Sequence, residues 1–437
     1  MDYSTALQRV HSLARFGSKP GLERIGALLE RLGRPQDKIP AVHIAGTNGK
    51  GSVAALLSSI CEAAGCRTGL FTSPHLVKYN ERMRINGRSI SDGDLASLVA
   101  QVWPLIEDEG LIREYGHPTE FELGTALALL YFAQQQVDLM ILEVGLGGRL
   151  DATNVIIPQA AVITRIAFDH ADQLGNTLGS IAKEKAGIIK ANRPVVSAPQ
   201  EEEARGVISL SARERHASLV QVGLDVEYEL VDWGLWGTEL SYKGRLWQEK
   251  QLAMGLTGPH QAVNGATALA AAEVLVGEGW QISCQAAREG LKRARWPGRF
   301  EIVQHHPTVI FDGAHNPDGA RALGQALTGA FPGRRVVYVM AVLGEKDRPK
   351  ILEALLPLGE EVVFTRPLAS RSAPSDPADL VELARPYGIQ SHIEGDPRRA
   401  LQWAMELAGE NGVVCICGSL YLVGELRGLW PMENSCP

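Results

Sequence analysis

No stretch of this 437-residue chain holds eighteen or more consecutive apolar residues, so no segment reads as a membrane span. The opening Met1-Asp2-Tyr3-Ser4 is not a basic segment followed by an apolar core, and no signal peptide is expected. Cysteine is scarce. The six fall at 61, 66, 284, 415, 417 and 436, and no pair has metal-site spacing with a second pair to match. Cys415 and Cys417 lie inside an apolar run and read as part of a core strand. This usage predicts reduced thiols and a cytoplasmic protein. Positive charge is in deficit, with 43 Lys and Arg against 50 Asp and Glu and a net charge of −7. A general nucleic-acid or anionic-membrane surface is thereby disfavoured. Phosphates and carboxylates would have to be held by local devices: loop N–H groups, metal ions and a few placed cations. Internal repeats, coiled-coil heptads and low-complexity tracts are absent too.

What is present is ordinary for a globular protein, 45% hydrophobic and 21% charged residues. The length exceeds one ordinary core and implies two or three domains. Short apolar runs alternate with helical patterns. Val42–Ala45, Leu139–Glu143 and Ala161–Ile166 read as buried strands, and Ser52–Ala64 and Ser180–Ile189 as helices. That alternation predicts a parallel sheet with helices on both faces. Residues 218–257 alternate instead and suggest a small antiparallel patch, followed by an alanine-rich helix over Ala262–Val276. Trp296-Pro297-Gly298-Arg299 then interrupts the helical pattern, and strand–helix alternation restarts. Strands are expected at Val309–Phe311, Val336–Val342, Val362–Thr365 and Val413–Cys417, with helices at Asp318–Leu327, Lys350–Leu356 and Pro377–Ala384. Pro357 should stop the second of those helices. The expected division is 1–296 and 297–437, the second a smaller α/β unit of usual domain size. The tail after Trp430 is expected to fray.

The sharpest motif is Gly46-Thr47-Asn48-Gly49-Lys50-Gly51-Ser52, after a strand and opening a helix, the context of a phosphate loop. Glycines let successive N–H groups turn toward an anion, and the helix N-terminus adds its dipole. Lys50 can reach β and γ phosphates, and the Ser52 hydroxyl can touch Mg²⁺. The match to the general pattern is imperfect, because Ile44 stands six residues before Lys50 and Gly51 intervenes before Ser52. A plain glycine-rich turn with a surface lysine is the bland alternative.

Four other segments place polar groups where strands should end: Phe71–Leu76, Leu142–Asn154, Ile163–His170 and Glu184–Lys190. In a doubly wound sheet such ends face the ligand crevice. Glu143 and Ser73 could hold Mg²⁺ there, whereas His170 is a softer ligand. Taken alone, a Glu after a strand is usually solvated and an Asp-His pair is usually a loop or cap. Lys183, Lys185 and Lys190 could equally form a solvated helix face, and spacing does not choose among them.

Together these residues are similar to one known set. Gly-Thr-Asn-Gly-Lys-Gly-Ser at 46–52, Ser-Pro-His-Leu at 73–76 and the run 143–154 (Glu-Val-Gly-Leu-Gly-Gly-Arg-Leu-Asp-Ala-Thr-Asn) carry the likeness. Glu-Lys-Ala-Gly-Ile at 184–188, Pro-Gly-Arg at 297–299, Asp-Gly-Ala-His-Asn-Pro at 312–317 and Cys-Gly-Ser-Leu-Tyr at 417–421 extend it. The chain resembles the bifunctional folylpolyglutamate synthase and dihydrofolate synthase family, a branch of the Mur ligase superfamily, over nearly its whole length. The resemblance implies a phosphate-loop NTPase-like doubly wound sheet with the antiparallel patch, plus a Rossmann-like C-terminal α/β domain. It implies ATP and Mg²⁺, with Gly46, Thr47, Asn48, Gly49, Lys50, Gly51, Ser52, Asn264, Arg299 and Asp312 on the nucleotide. Ser73, Glu143 and His170 would be Mg²⁺ ligands with Ser52 nearby. Lys185 would carry a carbamate and serve a second Mg²⁺. His315 shares the Asp312 motif and is a further catalytic candidate. For dihydropteroate the likeness points to Lys19, Pro20, Gly21 and Leu22, to Thr119, Glu120, Phe121 and Glu122, and to Leu150, Asp151 and Ala152. Phe121 could stack on an aromatic ring or be a core aromatic. Arg165 and Phe168 depart from the smaller residues common before the Asp-His pair, which puts substrate fit in question rather than chemistry.

The activity so implied joins L-glutamate to dihydropteroate and to the γ-carboxyl of reduced folates, through an acyl phosphate. Small-molecule substrates, no nucleic acid, no membrane and a monomer are expected. A monofunctional polyglutamate synthase is one alternative. Another is a cell-wall Mur ligase, for which 45 residues before the phosphate loop leave little room for a nucleotide-sugar domain. A nucleotide-sensing scaffold would not need the whole acid, lysine and histidine set.

Overall fold

The computed structural model describes residues 1–17, 19–368, 370 and 373–431. Cys436 and the tail from residue 432, expected to fray, lie outside the described residues. The first sheet has eight strands. In spatial order they are Arg88–Ser89, Met83–Ile85, Thr68–Phe71, Leu139–Glu143, Ala41–Ala45, Ala160–Ile163, Val195–Ser197 and Leu219–Gln221. From Thr68–Phe71 to Leu219–Gln221 every pairing is parallel, and the first two strands add on antiparallel. Ala41–Ala45 and Leu139–Glu143 are buried at every residue, which explains why they read as continuous apolar runs rather than alternating ones. The chain leaves Ala41–Ala45 toward one edge and, after Leu139–Glu143, turns to the other. The reversal therefore falls beside Ala41–Ala45, where such sheets open a ligand crevice.

Helices cover both faces. Lys50–Ala63, Gln261–Gly277 and Cys284–Arg293 pack Leu56, Leu57, Leu269 and Leu291 on one face. Tyr3–Ser12, Glu23–Arg31, Asp92–Ile106 and Glu120–Gln134 pack Val10, Leu28, Val99 and Leu127 on the other. A three-stranded antiparallel sheet of Glu227–Gly234, Gly237–Lys243 and Gln248–Met254 adds Leu240 and Leu252 to the first core. The patch expected over 218–257 therefore begins only at Glu227. Leu219–Gln221 pairs instead in parallel with Val195–Ser197, because its apolar centre Val220 is needed in the main core.

The third sheet has the order Glu301–His305, Thr308–Phe311, Val413–Cys417, Val336–Met340, Glu361–Phe364, Gln390–Ile393. It is parallel except for its first strand. Cys415 and Cys417 lie fully buried and unpaired in its centre, as the apolar run predicts. The helix Arg348–Leu355 ends just before a short 3-10 turn that contains Pro357. Several expected elements differ by a few residues at their ends, and two of these have a plain cause. The strand predicted to reach Ile166 stops at Ile163, because the Arg165 carbonyl turns aside to accept the N–H groups of Thr47 (2.9 Å) and Asn48 (3.2 Å). The helix expected from Ser180 starts at Leu178, where Thr177 caps it.

Candidate active site

The phosphate loop joins Ala41–Ala45 to the helix Lys50–Ala63 beside the reversal in strand order. Gly46 and Gly49 have φ of 154° and 87°, conformations that side chains resist. A Cβ on Gly46 would run into Thr164, one on Gly49 into Asn264, and one on Gly51 would lie 2.8 Å from the Trp296 indole nitrogen. The loop is thus fitted against three other segments, and Asn264 is held there by Gln261 at 2.8 Å. Lys50 donates to the carbonyls of Gly46 and Thr47, both at 3.1 Å. Burial lowers its pKa.

Lys185 is the lysine that spacing could not single out. Lys183 is exposed and Lys190 is tied to the Asn154 carbonyl at 3.1 Å. Lys185 alone of the three is buried, and it donates to the Gly46 carbonyl at 2.8 Å. Burial first, and then the neighbouring Lys50, bring its pKa down to about 7.

Glu143 ends its strand, is buried, and accepts the Ser73 N–H at 3.1 Å. Burial raises its pKa. Glu143 and Ser73 share a cavity wall with Gly51, His75, Trp296 and Arg299. Ser52 is buried in the first turn of the loop helix. Among the described residues no group of three His, Cys, Asp or Glu side chains is arranged to hold a metal ion. The chemistry of the donors nonetheless fits Mg²⁺. Hydroxyls of Ser52 and Ser73 and the Glu143 carboxylate are hard oxygens, and Mg²⁺ commonly takes one or two carboxylates and fills its shell with water and phosphate.

The remaining candidates form a polar seam between the first and third sheets. Lys346, only 8% exposed at its side chain, donates to Asp169 at 2.6 Å, and its ammonium lies 3.4 Å from His170 Nε2. His315 stands 3.6 Å from Asp169, and Asn316 donates to Asp169 at 3.2 Å. Burial opposes ionisation of Asp169, but His315 and then Lys346 outweigh it and hold the carboxyl below its usual range. From the loop tip, Asn48 donates to Asn316 (3.2 Å) and to Asp318 (2.9 Å), and Arg165 donates to Asp318 at 3.1 Å. Asp312 is occupied by backbone, accepting from Phe300 and Ala314 at 2.8 Å each, and so ties the 297–300 segment to the second unit. Lys346, Asn316 as a seam residue and Asp318 were not legible from spacing, since their seam contacts reach across more than a hundred positions.

The segments expected at the pterin side meet one another. Gly21 N–H faces the Leu150 carbonyl at 3.4 Å, and Arg24 links the Lys19 carbonyl (2.7 Å) to Glu122 (3.1 Å). Phe121 is half-buried between Phe71, 6.0 Å away, and Gly145, where a Cβ would lie 2.5 Å from the ring. Pro20 and Leu22 flank Gly21, and Ala152 is buried beside Asp151. Thr119 and Glu122 cap the helix Glu120–Gln134, while Asp151 accepts the N–H groups of Leu146 (2.9 Å) and Thr153 (3.0 Å). Glu120 lies 3.7 Å from Arg82.

With that geometry in place, likeness to known proteins is informative. Residues 44–272 match the Mur ligase middle domain, and residues 298–420 match the Mur ligase glutamate ligase domain. The dihydrofolate synthase/folylpolyglutamate synthase of Bacillus subtilis is 41% identical over 433 residues, 97% of this chain and 98% of that one. The chain belongs to the dihydrofolate synthase/folylpolyglutamate synthase family of Mur ligases. It is an ATP-dependent, ADP-forming ligase. Mycobacterium tuberculosis folylpolyglutamate synthase, solved with ADP and AMPPCP, superposes with a TM-score of 0.91 at 35% identity, covering 99% of this chain and 100% of that one. Escherichia coli FolC, solved with DHPP and ADP, gives 0.86 at 33% identity over 98% and 97%. No helix among the described residues is long and apolar enough to cross a membrane.

Proposed function

We propose that this ligase attaches L-glutamate to dihydropteroate and to the γ-carboxyl of reduced folates, through an acyl phosphate. The observation that carries the reading is one cleft lined by Gly51 of the phosphate loop, Ser73, Glu143 and, from beyond the 296–298 link, Arg299, with the buried Lys50 near enough for Glu143 and Arg299 to act on its charge. The E. coli neighbour, solved with DHPP and ADP, supports folate chemistry in such a cleft. The phosphate-loop N–H groups and Lys50 bind and orient the triphosphate. The substrate carboxylate attacks the γ-phosphorus, ADP leaves, and the acyl phosphate forms. The glutamate amine then attacks the acyl carbon and phosphate departs. Phosphoryl transfer of this kind asks mainly for positioning and cancellation of charge. Arg299 and Lys50 cancel charge on the transferring group, and Asn264 holds the adenine side of the nucleotide. Phe121 and the 19–22 and 150–152 segments hold the pterin. Mg²⁺ held by Ser73, Glu143 and His170 with Ser52 nearby, and a second held by Lys185 as a carbamate, would supply further neutralisation of phosphate charge. Lys185 forms that carbamate when its neutral amine adds to CO₂ and releases a proton. The seam from Asn48 and Asp169 to Asn316 and Lys346 closes the third sheet over the loop and keeps water from the acyl phosphate. The division near Pro297, a cytoplasmic location and a monomer belong to the same reading.

The test is phosphate release by purified protein with ATP, Mg²⁺ and glutamate, offering dihydropteroate in one reaction and tetrahydrofolate in another. Release with both is expected. Release with tetrahydrofolate alone would restrict the enzyme to polyglutamylation and remove the pterin role from the 19–22 and 119–122 segments. Release with neither, from folded protein that binds ATP, would overturn the folate reading.

A further inference from the structure

Arg299 reaches the cleft from a segment whose backbone is fastened on both sides. Gly298 N–H donates to Glu301 Oε2 at 2.8 Å, and the Gly298 carbonyl accepts Gly313 N–H at 2.8 Å. Phe300 N–H donates to Asp312 Oδ2 at 2.8 Å. Phe300 itself has φ of 46°, in the left-handed region that a side chain resists, and is buried beside Phe331. A backbone bent in this way keeps its shape only where its neighbours hold it. The Arg299 guanidinium lies over Gly313, where a Cβ would run into it and into Leu420. Among the described residues no hydrogen bond holds that guanidinium, so its aim is set by the backbone beneath it and by the packing of Leu420. The helix Leu420–Arg427 meets this segment with both of its ends. Leu420, at its start, lines the cleft with Arg299. Arg427, at its end, is only 5% exposed. Its Nε–H donates to Glu301 Oε1 at 2.9 Å, and Nη2 lies 2.9 Å from the same oxygen. Nη1 donates to the Trp430 carbonyl at 3.0 Å. Glu301 thus gives one oxygen to a buried guanidinium and the other to the N–H of the residue before Arg299.

We propose that Arg427 is a positioning residue for Arg299: through Glu301 and Gly298 it fixes the backbone from which Arg299 reaches the transferring phosphate. The proposal rests on the acyl-phosphate reading given above, in which Arg299 cancels charge on that group. A buried ion pair adds little to stability, because removing two charges from water costs about as much as their attraction returns. Its use here is direction. Without Arg427 the Glu301 side chain, already 20% exposed, is free to turn to water and release Gly298 N–H. The bend at Phe300 then relaxes, and the guanidinium swings off line. Phosphoryl transfer depends on such placement, since an error of about 1 Å can cost about 100-fold in rate.

The experiment is a double-mutant cycle between Arg427→Met and Arg299→Ala in the full chain. It is read by kcat and by affinity for AMPPCP and for ADP, with melting temperature measured on each variant. Arg427→Met should lose about 10- to 100-fold in kcat. It should weaken AMPPCP, which carries the γ-phosphate, by about 3- to 10-fold, while affinity for ADP holds within about twofold. In the Arg299→Ala background the same substitution should change kcat and AMPPCP affinity by less than about twofold, because the group it misplaces is gone. A structural role alone would lower both by the same factor in either background. Arg427→Lys keeps a cation for Glu301 and should recover part of the loss. Equal factors in the two backgrounds, or Arg427→Met as active as the wild type, would overturn the positioning role and leave the ligase reading intact. Arg299→Ala as active as the wild type would remove the role of Arg299 on which the proposal stands, and a wild type inactive with every folate would overturn the reading itself. Should Arg299→Ala turn over too slowly to compare, AMPPCP binding completes the cycle. Should Arg427→Met fail to fold, Glu301→Gln takes its place, since it keeps an acceptor for Gly298 N–H and loses the charge that Arg427 holds.

Discussion

Residue by residue, the loop strand shows what burial does to a titratable group. His43 lies fully buried in Ala41–Ala45. Thr153 Oγ1 donates to Asp151 at 2.5 Å, so it accepts from His43 Nε2–H at 2.8 Å, and His43 is held neutral. Burial, and secondarily Lys190, lower its pKa to about 3. The unfolded chain takes up this proton below the usual histidine value of 6.5, whereas the folded chain refuses it until about 3. The stabilisation is therefore complete above pH 6.5 and is lost progressively as pH falls toward 3. His43→Leu should flatten the loss of melting temperature over that window. An unchanged pH profile in the variant would show that other groups drive acid unfolding. Lys185 has the opposite consequence for activity. With a pKa of about 7, its amine is largely protonated below neutrality and largely neutral above. Enzyme stripped of CO₂ should lose most of its turnover and regain it with bicarbonate, faster as pH rises through 7. Lys185→Met should remain folded and show no bicarbonate response. Full activity of the stripped wild type would remove the carbamate.

For elements, the hairpin between Gly237–Lys243 and Gln248–Met254 depends on a single carboxylate. Glu273, buried in the helix Gln261–Gly277, accepts the N–H groups of Arg245 (2.8 Å), Leu246 (3.0 Å) and Trp247 (2.7 Å). Glu273→Ala should cost about 2–3 kcal/mol, because the turn loses a charged acceptor and its amides must find water. Denaturant unfolding with unaltered slope would read this, and a loss under about 0.5 kcal/mol would show that the turn repairs itself. That anchor was not legible in the sequence, where Glu273 is one acid in an alanine-rich helix. What was legible had a short-range cause. Ala41–Ala45 and Leu139–Glu143 are apolar because both faces of a parallel strand are covered, and Pro357 stops a helix through its own ring. The loop 46–52 announces itself because its glycines answer a local backbone demand. Leu219–Gln221 was assigned to the wrong sheet because three residues carry no periodicity to separate parallel from antiparallel partners. The burial of Lys185 but not Lys183, and the pairing of Lys346 with Asp169 across 177 positions, are tertiary facts without a local trace.

For the whole molecule, two units meet along the seam and along a second contact. There Trp233 of the antiparallel sheet packs against Gly329, and Trp236 lies 5.3 Å from His305. The covalent link between them is short. Trp296 is fastened to the first unit, 2.8 Å from where a Gly51 Cβ would stand and with the Arg84 guanidinium 5.0 Å over its ring. Gly298 is already fastened to the second, through Glu301 to its N–H and Gly313 N–H to its carbonyl, each 2.8 Å, and Phe300 N–H reaches Asp312. Only Pro297 stands between two anchored residues, so in the proposed closure rotation of one unit on the other would be concentrated there, and its ring restricts φ to near −65°. Pro297→Ala removes that restriction without deleting any of these hydrogen bonds. The cost in stability should be about 0.4–1 kcal/mol, the entropy an unfolded chain gains when proline is removed. Turnover should change severalfold, because the proposed closure would carry Arg299 to the nucleotide. Melting temperature and kcat measured on the same preparation decide it. A large fall in melting temperature with unchanged turnover would mean that Pro297 braces the fold and that the units turn elsewhere.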